Sequence, residues 1–222
     1  ISLTRNKKIK ARMFYILGQI GLIEEDYEFS FQNFQEVIKK NSSYELVFNA
    51  KLSQTKTYNP NQNNHNQLRD QLDKMIKDKK NIEYKDQIYF SLANMELKNL
   101  DTVAAIKALE LSTLSSTSNN KQKLESHFLL ANIYWKNKSY VKSYNHCDSA
   151  YSLVDSKNDQ YYSIKSMLRS SKKIANLYTI INYNDSIIEL AKLPKEERNK
   201  IIDENIEKLK LKEQAQKELN ET

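Results

Sequence analysis

Residues 122–156 carry two apolar stripes at helical spacing, interrupted only by the polar stretch Lys136-Asn137-Lys138-Ser139. Phe128, Leu130, Ala131, Tyr134 and Trp135 recur at three and four residues in the first arm, and Tyr140, Tyr144, Cys147 and Tyr151 do so in the second. A strand would alternate with period two, so this segment buries its apolar residues as two helices. The short polar break folds them back on each other as an antiparallel pair.

Composition extends the helical reading to the whole chain. Its 222 residues include only two Gly and two Pro. So few breakers argue against hairpin-rich β architecture and for long helices joined by polar loops. No segment has the run of about 18 apolar residues that a transmembrane helix needs. The formal charge of +7 is the balance of 35 basic and 28 acidic residues, so most charge is mixed along helix surfaces. Arg5, Lys7, Lys8 and Lys10, and again Lys74, Lys77, Lys79 and Lys80, form local basic clusters. Solvated helix faces account for them more simply than nucleic-acid binding does, and no nucleic-acid partner is expected. The lone cysteine, Cys147, excludes an intramolecular disulfide and leaves reducing and oxidising compartments equally open. Residues 1–5 resemble neither an initiator Met nor a signal peptide, which suggests a slice of a longer protein.

The order of residue types inside 122–156 is more specific than its periodicity. A large residue is followed by a small one (Leu130-Ala131), then come aromatics at Tyr134 and Tyr140, then small residues at Ser143 and Ala150. Small positions let two helices approach, and large ones fill the space between pairs. This order is similar to the tetratricopeptide repeat, in which one pair cannot bury its face alone, so relatives are expected elsewhere. Leu17-Gly18 and Leu92-Ala93 supply the same large-small step, with separations of 75 and 38 residues from Leu17 to Leu92 to Leu130. Gly21 stands where an aromatic is expected and predicts a local packing gap. The segment at 44–58, then an Asn-rich loop at 59–66, then a helix from 67 to about 80 reads as a degenerate pair.

The expected architecture is therefore all-α: a tetratricopeptide-like right-handed solenoid over residues 1–156, with pairs at about 11–41, 44–80, 84–114 and 122–156. Residues 157–222 form a helical extension. Within it, one amphipathic helix spans 159–182, Asn184-Asp185-Ser186 caps a short helix over 187–192, and Pro194 opens a last helix. Beyond Leu211 apolar residues almost vanish, so that stretch is expected to fray or to lead into further sequence.

Several short words in fixed order carry a resemblance. They are Lys74-Met75-Ile76-Lys77-Asp78-Lys79-Lys80-Asn81, Glu83-Tyr84, the run at 86–90, residues 116–122 and 130–134, Cys147-Asp148-Ser149, Asp185-Ser186 and Glu197-Arg198. From about residue 12 to 203 the chain resembles the gliding-motility and type IX secretion lipoprotein family (SprE/PorW). The resemblance implies a scaffold on the periplasmic face of the outer membrane in Bacteroidota. Such a protein links translocon components to periplasmic ring and motor components. Its only membrane attachment is a lipid anchor outside these residues. Cys147 lies inside a repeat and cannot be the lipidated residue.

Enzymatic constellations are thin. His127, His146 and Cys147 suggest metal ligation, but adjacent helical residues point about 100° apart and do not readily converge on one ion. Cys147 is expected in the core and the histidines as partly exposed packing residues. The Asp-Ser pairs at 148/149, 155/156 and 185/186 have no neighbouring base, and no glycine-rich phosphate loop occurs. No cofactor, metal or catalytic residue is expected. The candidate partner-binding residues lie instead on the exposed stripe of the first helices. Tyr15, Phe90 and Phe128 share one level, Gln19, Asn94 and Asn132 the next, and Trp135 follows beside Lys98 and Lys136. Repeated amides suit an extended peptide backbone, and aromatics suit either apolar anchors or inter-repeat packing. No basic residue stands at the aromatic level, which speaks against a clamp for a terminal carboxylate. The alternatives are docking on the convex face or on the helix after Pro194, and a peptidoglycan-associated enzyme or cell-wall binding module.

Overall fold

The computed structural model describes residues 5–40, 43–60 and 64–220, with side chains to residue 214. The chain is all-α, and among the described residues there is no strand. Its α-helices are α1 (Lys7–Ile23), α2 (Tyr27–Lys40), α3 (Tyr44–Lys56), α4 (His65–Lys77), α5 (Lys85–Lys98), α6 (Thr102–Ser115), α7 (Asn120–Lys136), α8 (Tyr140–Leu153), α9 (Tyr161–Lys192) and α10 (Lys195–Asn220). A 3-10 helix, Lys79–Tyr84, leads into α5. Contacts divide the chain into two compact units, residues 1–171 and 172–222. The first extends past Ser156 because Ile164, Met167 and Leu168 of α9 pack on Leu124, Ala131, Cys147 and Ala150.

Three pairs in the first unit, α1/α2, α5/α6 and α7/α8, are built alike. Each is closed by a three-residue turn whose middle residue is left-handed: Glu25 at φ 59°, Leu100 at 61° and Lys138 at 58°. Where the chain turns at Leu100, the Asp101 N–H donates to Glu96 O at 2.9 Å and the Leu100 N–H to Leu97 O at 3.1 Å. Ser139 and Lys138 repeat these bonds to Tyr134 O and Trp135 O. Both are Schellman closures, made here without glycine. Asp26 and Asp101 then cap the second helices, their Oδ1 atoms accepting from the Phe29 and Ala104 N–H groups at 3.0 and 2.8 Å.

The small residues set the spacing within each pair. Ser30 Oγ donates to Gly18 O at 2.7 Å, and Ser143 Oγ donates to Ala131 O at 2.9 Å, the same link between equivalent positions. Ala93 and Ala105 occupy that level in α5/α6, both fully buried. A Cβ on Gly18 would lie 2.6 Å from the Phe34 ring, so α2 sits as close as a bare backbone allows. The gap expected at Gly21 is absent. A Cβ there would meet Ser30 N at 3.0 Å and Asp26 O at 3.1 Å, because the start of α2 already fills the space.

The first helices lie side by side, α1 against α3, α3 against α5, and α5 against α7, while α2 packs on α3 and α6 on α7. The α3/α4 pair departs from this order. Its helices are joined by a longer connection, and α4 leans on α5 and the 3-10 helix as much as on α3. The largest buried cluster lies here, joining Phe48, Leu52 and Tyr58 to Leu68, Leu72, Met75, Ile88, Leu92 and Met95.

In the second unit, α9 runs without interruption through residues 184–186, which corrects the expected break. Ser186 Oγ donates back to Tyr183 O at 2.7 Å, so its hydroxyl serves the helix interior instead of capping a new one. Pro194 immediately precedes α10, its carbonyl accepting from the Arg198 N–H at 3.0 Å. Past Leu211, α10 continues to Asn220.

Candidate functional site

The C-terminal end of α3 and the middle of α5 enclose a concavity of about 320 Å³ lined by Thr55, Lys56, Phe90, Ser91, Asn94 and Lys98. Phe90, Asn94 and Lys98 are successive levels of the stripe read from the sequence, spaced by four residues and so on one face of α5. Thr55, Lys56 and Ser91 were not among the expected residues. In α3 the large-small step that fixes the register of the other first helices is present as Leu52-Ser53, both buried, with a polar residue in the small position.

Each side chain here has a defined role. Phe90 packs partly against the main buried cluster and shows its remaining surface to the concavity. Asn94 Nδ2 donates to Phe90 O at 2.9 Å, which holds the amide in one orientation. Lys98 Nζ donates to Lys56 O at 2.7 Å and Tyr58 O at 3.3 Å, capping the last turn of α3, and lies 5.5 Å from the Tyr27 ring centroid. Partial burial of this ammonium lowers its pKa. Lys98 is thus a fixed cation that joins two helices rather than a free surface charge.

The same geometry recurs 38 residues later on α7. Asn132 Nδ2 donates to Phe128 O at 2.8 Å, and Phe128 packs partly against the cluster around Cys147 and Ile164. Trp135 meets Tyr140 edge-on with centroids 5.2 Å apart, and Lys136 is exposed at the helix end. On α1, Tyr15 lies edge-on to Phe34 at 5.5 Å and Gln19 is exposed. The α5 residues share one concavity, whereas Tyr15, Gln19 and the α7 residues do not line it. The aromatics serve packing as well as display, and the two asparagines spend one donor on their own helix.

Beneath the groove lies a polar network that sequence reasoning missed. Glu96 is fully buried in α5, its Oε1 paired with Arg69 Nη1 and its Oε2 3.1 Å from His65 Nε2, both partners coming from α4. Tyr58 lies tilted against the His65 ring, with centroids 5.4 Å apart, and donates to Asn99 Oδ1 at 2.8 Å. Burial and the charge of Glu96 raise the Tyr58 pKa. A signal was present: Glu96 falls on the buried face of α5 with Leu92 and Ala93, where an unpaired charge is not tolerated.

Two of the three suspected metal ligands do converge. His127 Nδ1 and His146 Nδ1 lie 3.1 Å apart across α7 and α8, with His146 stacked on Tyr134 at 5.4 Å. Burial, the neighbouring His146 and Lys123 lower the His127 pKa to about 4. Cys147 takes no part: its Sγ donates to Ile164 O at 3.4 Å, and burial pushes its pKa up to about 11. Among the described residues no three His, Cys, Asp or Glu side chains group to hold a metal ion. No family model matches this chain, and no curated protein matches it.

Proposed function

We propose that this protein is a non-enzymatic scaffold whose first helices bind an extended segment of a partner protein. The observation that carries the reading is the repeated aromatic-amide unit, Phe90/Asn94 and Phe128/Asn132. In each, the amide is oriented by the same intrahelical bond on neighbouring helices α5 and α7. An extended peptide presents alternating N–H and C=O groups, which oriented amides can match at fixed intervals, while Phe90 supplies an apolar wall. Three alike pairs and the side-by-side first helices support a tetratricopeptide-like solenoid as the frame.

The resemblance to the gliding-motility and type IX secretion lipoproteins supports a place for the partner. We assign it to the cell envelope, among translocon and periplasmic ring components, with the scaffold on the periplasmic face of the outer membrane. The test is retention of those components on immobilised protein. Asn94→Asp with Asn132→Asp introduces repulsion against peptide carbonyls and is expected to weaken retention by about tenfold or more. Unchanged helicity by circular dichroism is the control. Undiminished retention would reject the groove as the binding face.

A further inference from the structure

The histidine pair of α7 and α8 has no counterpart in the two pairs built alike. Offsets of 38 and 75 residues, which relate Ser143 to Ala105 and Ala105 to Ser30, place Tyr89 and Phe14 at the level of His127, and Ala108 and Asn33 at that of His146. An aromatic ring with a small or amide side chain serves for packing at this level, and two imidazoles are not needed for it. In α7/α8 the two rings turn the same atom toward each other, His127 Nδ1 lying 3.1 Å from His146 Nδ1. Two bare lone pairs would repel at this separation, so one Nδ1 carries a proton and donates it to the other. Both rings are half-buried and so within reach of water. Burial lowers the pKa of each, which leaves the pair uncharged near neutral pH.

We propose that His127 and His146 form a site for one divalent transition-metal ion, bound through both Nδ1 atoms, which ties α7 to α8. An ion at about 2.0–2.1 Å from each nitrogen makes an angle of about 100° between them, between the square and tetrahedral values. Each ring tilts about its own side-chain bonds to aim its lone pair at the ion, and neither helix has to move. The shared proton passes from Nδ1 to Nε2 of the same ring, which leaves two neutral imidazoles and releases no proton. Imidazole suits zinc, copper and nickel, whereas magnesium and calcium require oxygen ligands. Among the described residues no third His, Cys, Asp or Glu side chain joins the pair, so water completes the coordination and the ion is exchangeable. The surroundings set the strength. Glu110 of α6, which accepts from the Tyr134 hydroxyl at 3.3 Å, places negative charge near His146 and favours a cation there. Lys123 of α7 opposes it at His127, and Lys142 of α8 at His146. Two protein ligands and this balance of charge give micromolar affinity, well short of a closed four-ligand site.

Calorimetric titration of the whole 222-residue chain with zinc, nickel, copper and magnesium ions in turn tests the site. The expected result is one ion per chain, tightest for copper, with no binding of magnesium. His127→Gln and His146→Gln are each expected to weaken zinc binding at least about tenfold while helicity is unchanged. Nitrogen NMR of the unsubstituted chain gives a second readout that does not depend on how the variants fold. Zinc is expected to move the Nδ1 signals of His127 and His146 and to leave those of His65, the third histidine, in place. Zinc that binds no tighter than about 1 mM overturns the proposal. So does zinc binding that either glutamine variant retains in full, or a shift confined to His65.

Discussion

The α5/α6 and α3/α4 pairs show two ways of burying the same kind of helix. In α5/α6 a three-residue turn brings the helices together, and Ala93 and Ala105 let them touch. In α3/α4 the connection is longer, and polar groups fasten the pair to α5: Glu96 with Arg69 and His65, Tyr58 with Asn99, and Lys98 on the end of α3. Three concavities of about 320–330 Å³ are lined by α3, one of them the groove with Phe90 and Asn94. Close packing leaves little to bind; the irregular pair leaves space, and fixed polar atoms at its edge.

Four substitutions or conditions would break or sharpen this contrast. The largest effect is expected at the irregular pair. Arg69→Ala leaves Glu96 buried with only the partly exposed His65 and should cost about 3 kcal/mol in urea unfolding. In a regular pair, Gly18→Ala drives a methyl against the buried Phe34 ring. The overpacking outweighs the gain in helix propensity, for a net loss of about 1–2 kcal/mol.

The third test is pH. His127 folds with its pKa depressed from 6.5 to about 4, so the unfolded chain binds the extra proton first. Its stabilising contribution is whole above about pH 6.5 and is lost as pH falls toward 4. Melting at pH 5 should be several degrees below that at pH 7.5, and His127→Phe should shrink the difference. The smallest effect is expected at Leu100, which is 88% exposed with a left-handed backbone. Leu100→Gly loses no packing and relieves the strain, raising stability by about 0.5–1 kcal/mol in thermal melts.

The three regular pairs were legible because Leu17-Gly18, Leu92-Ala93 and Leu130-Ala131 mark where helices touch, and touching needs small residues next to large ones. The turns were less so, since Glu25, Leu100 and Lys138 hold a conformation that glycine usually announces. The joining of α4 to α5 was hidden: Arg69 and His65 reach Glu96 across 27 and 31 residues, with no periodic signal between them. At 184–186 the residue types misled, because a serine that can cap a helix can equally bond back into one. Of the site, the levels of α5 could be counted from Leu92-Ala93. The α3 wall follows from Leu52-Ser53, where serine in the small position makes the step less conspicuous than Leu-Gly or Leu-Ala.

The groove between α3 and α5 is the proposed docking site. A photoreactive side chain at position 91, inside the groove, and another at exposed position 107 on α6 can be compared in native envelopes, with the adducts identified by mass. Adducts with one secretion-machinery protein from position 91 and none from 107 are predicted. Adducts from 107 alone would contradict the account.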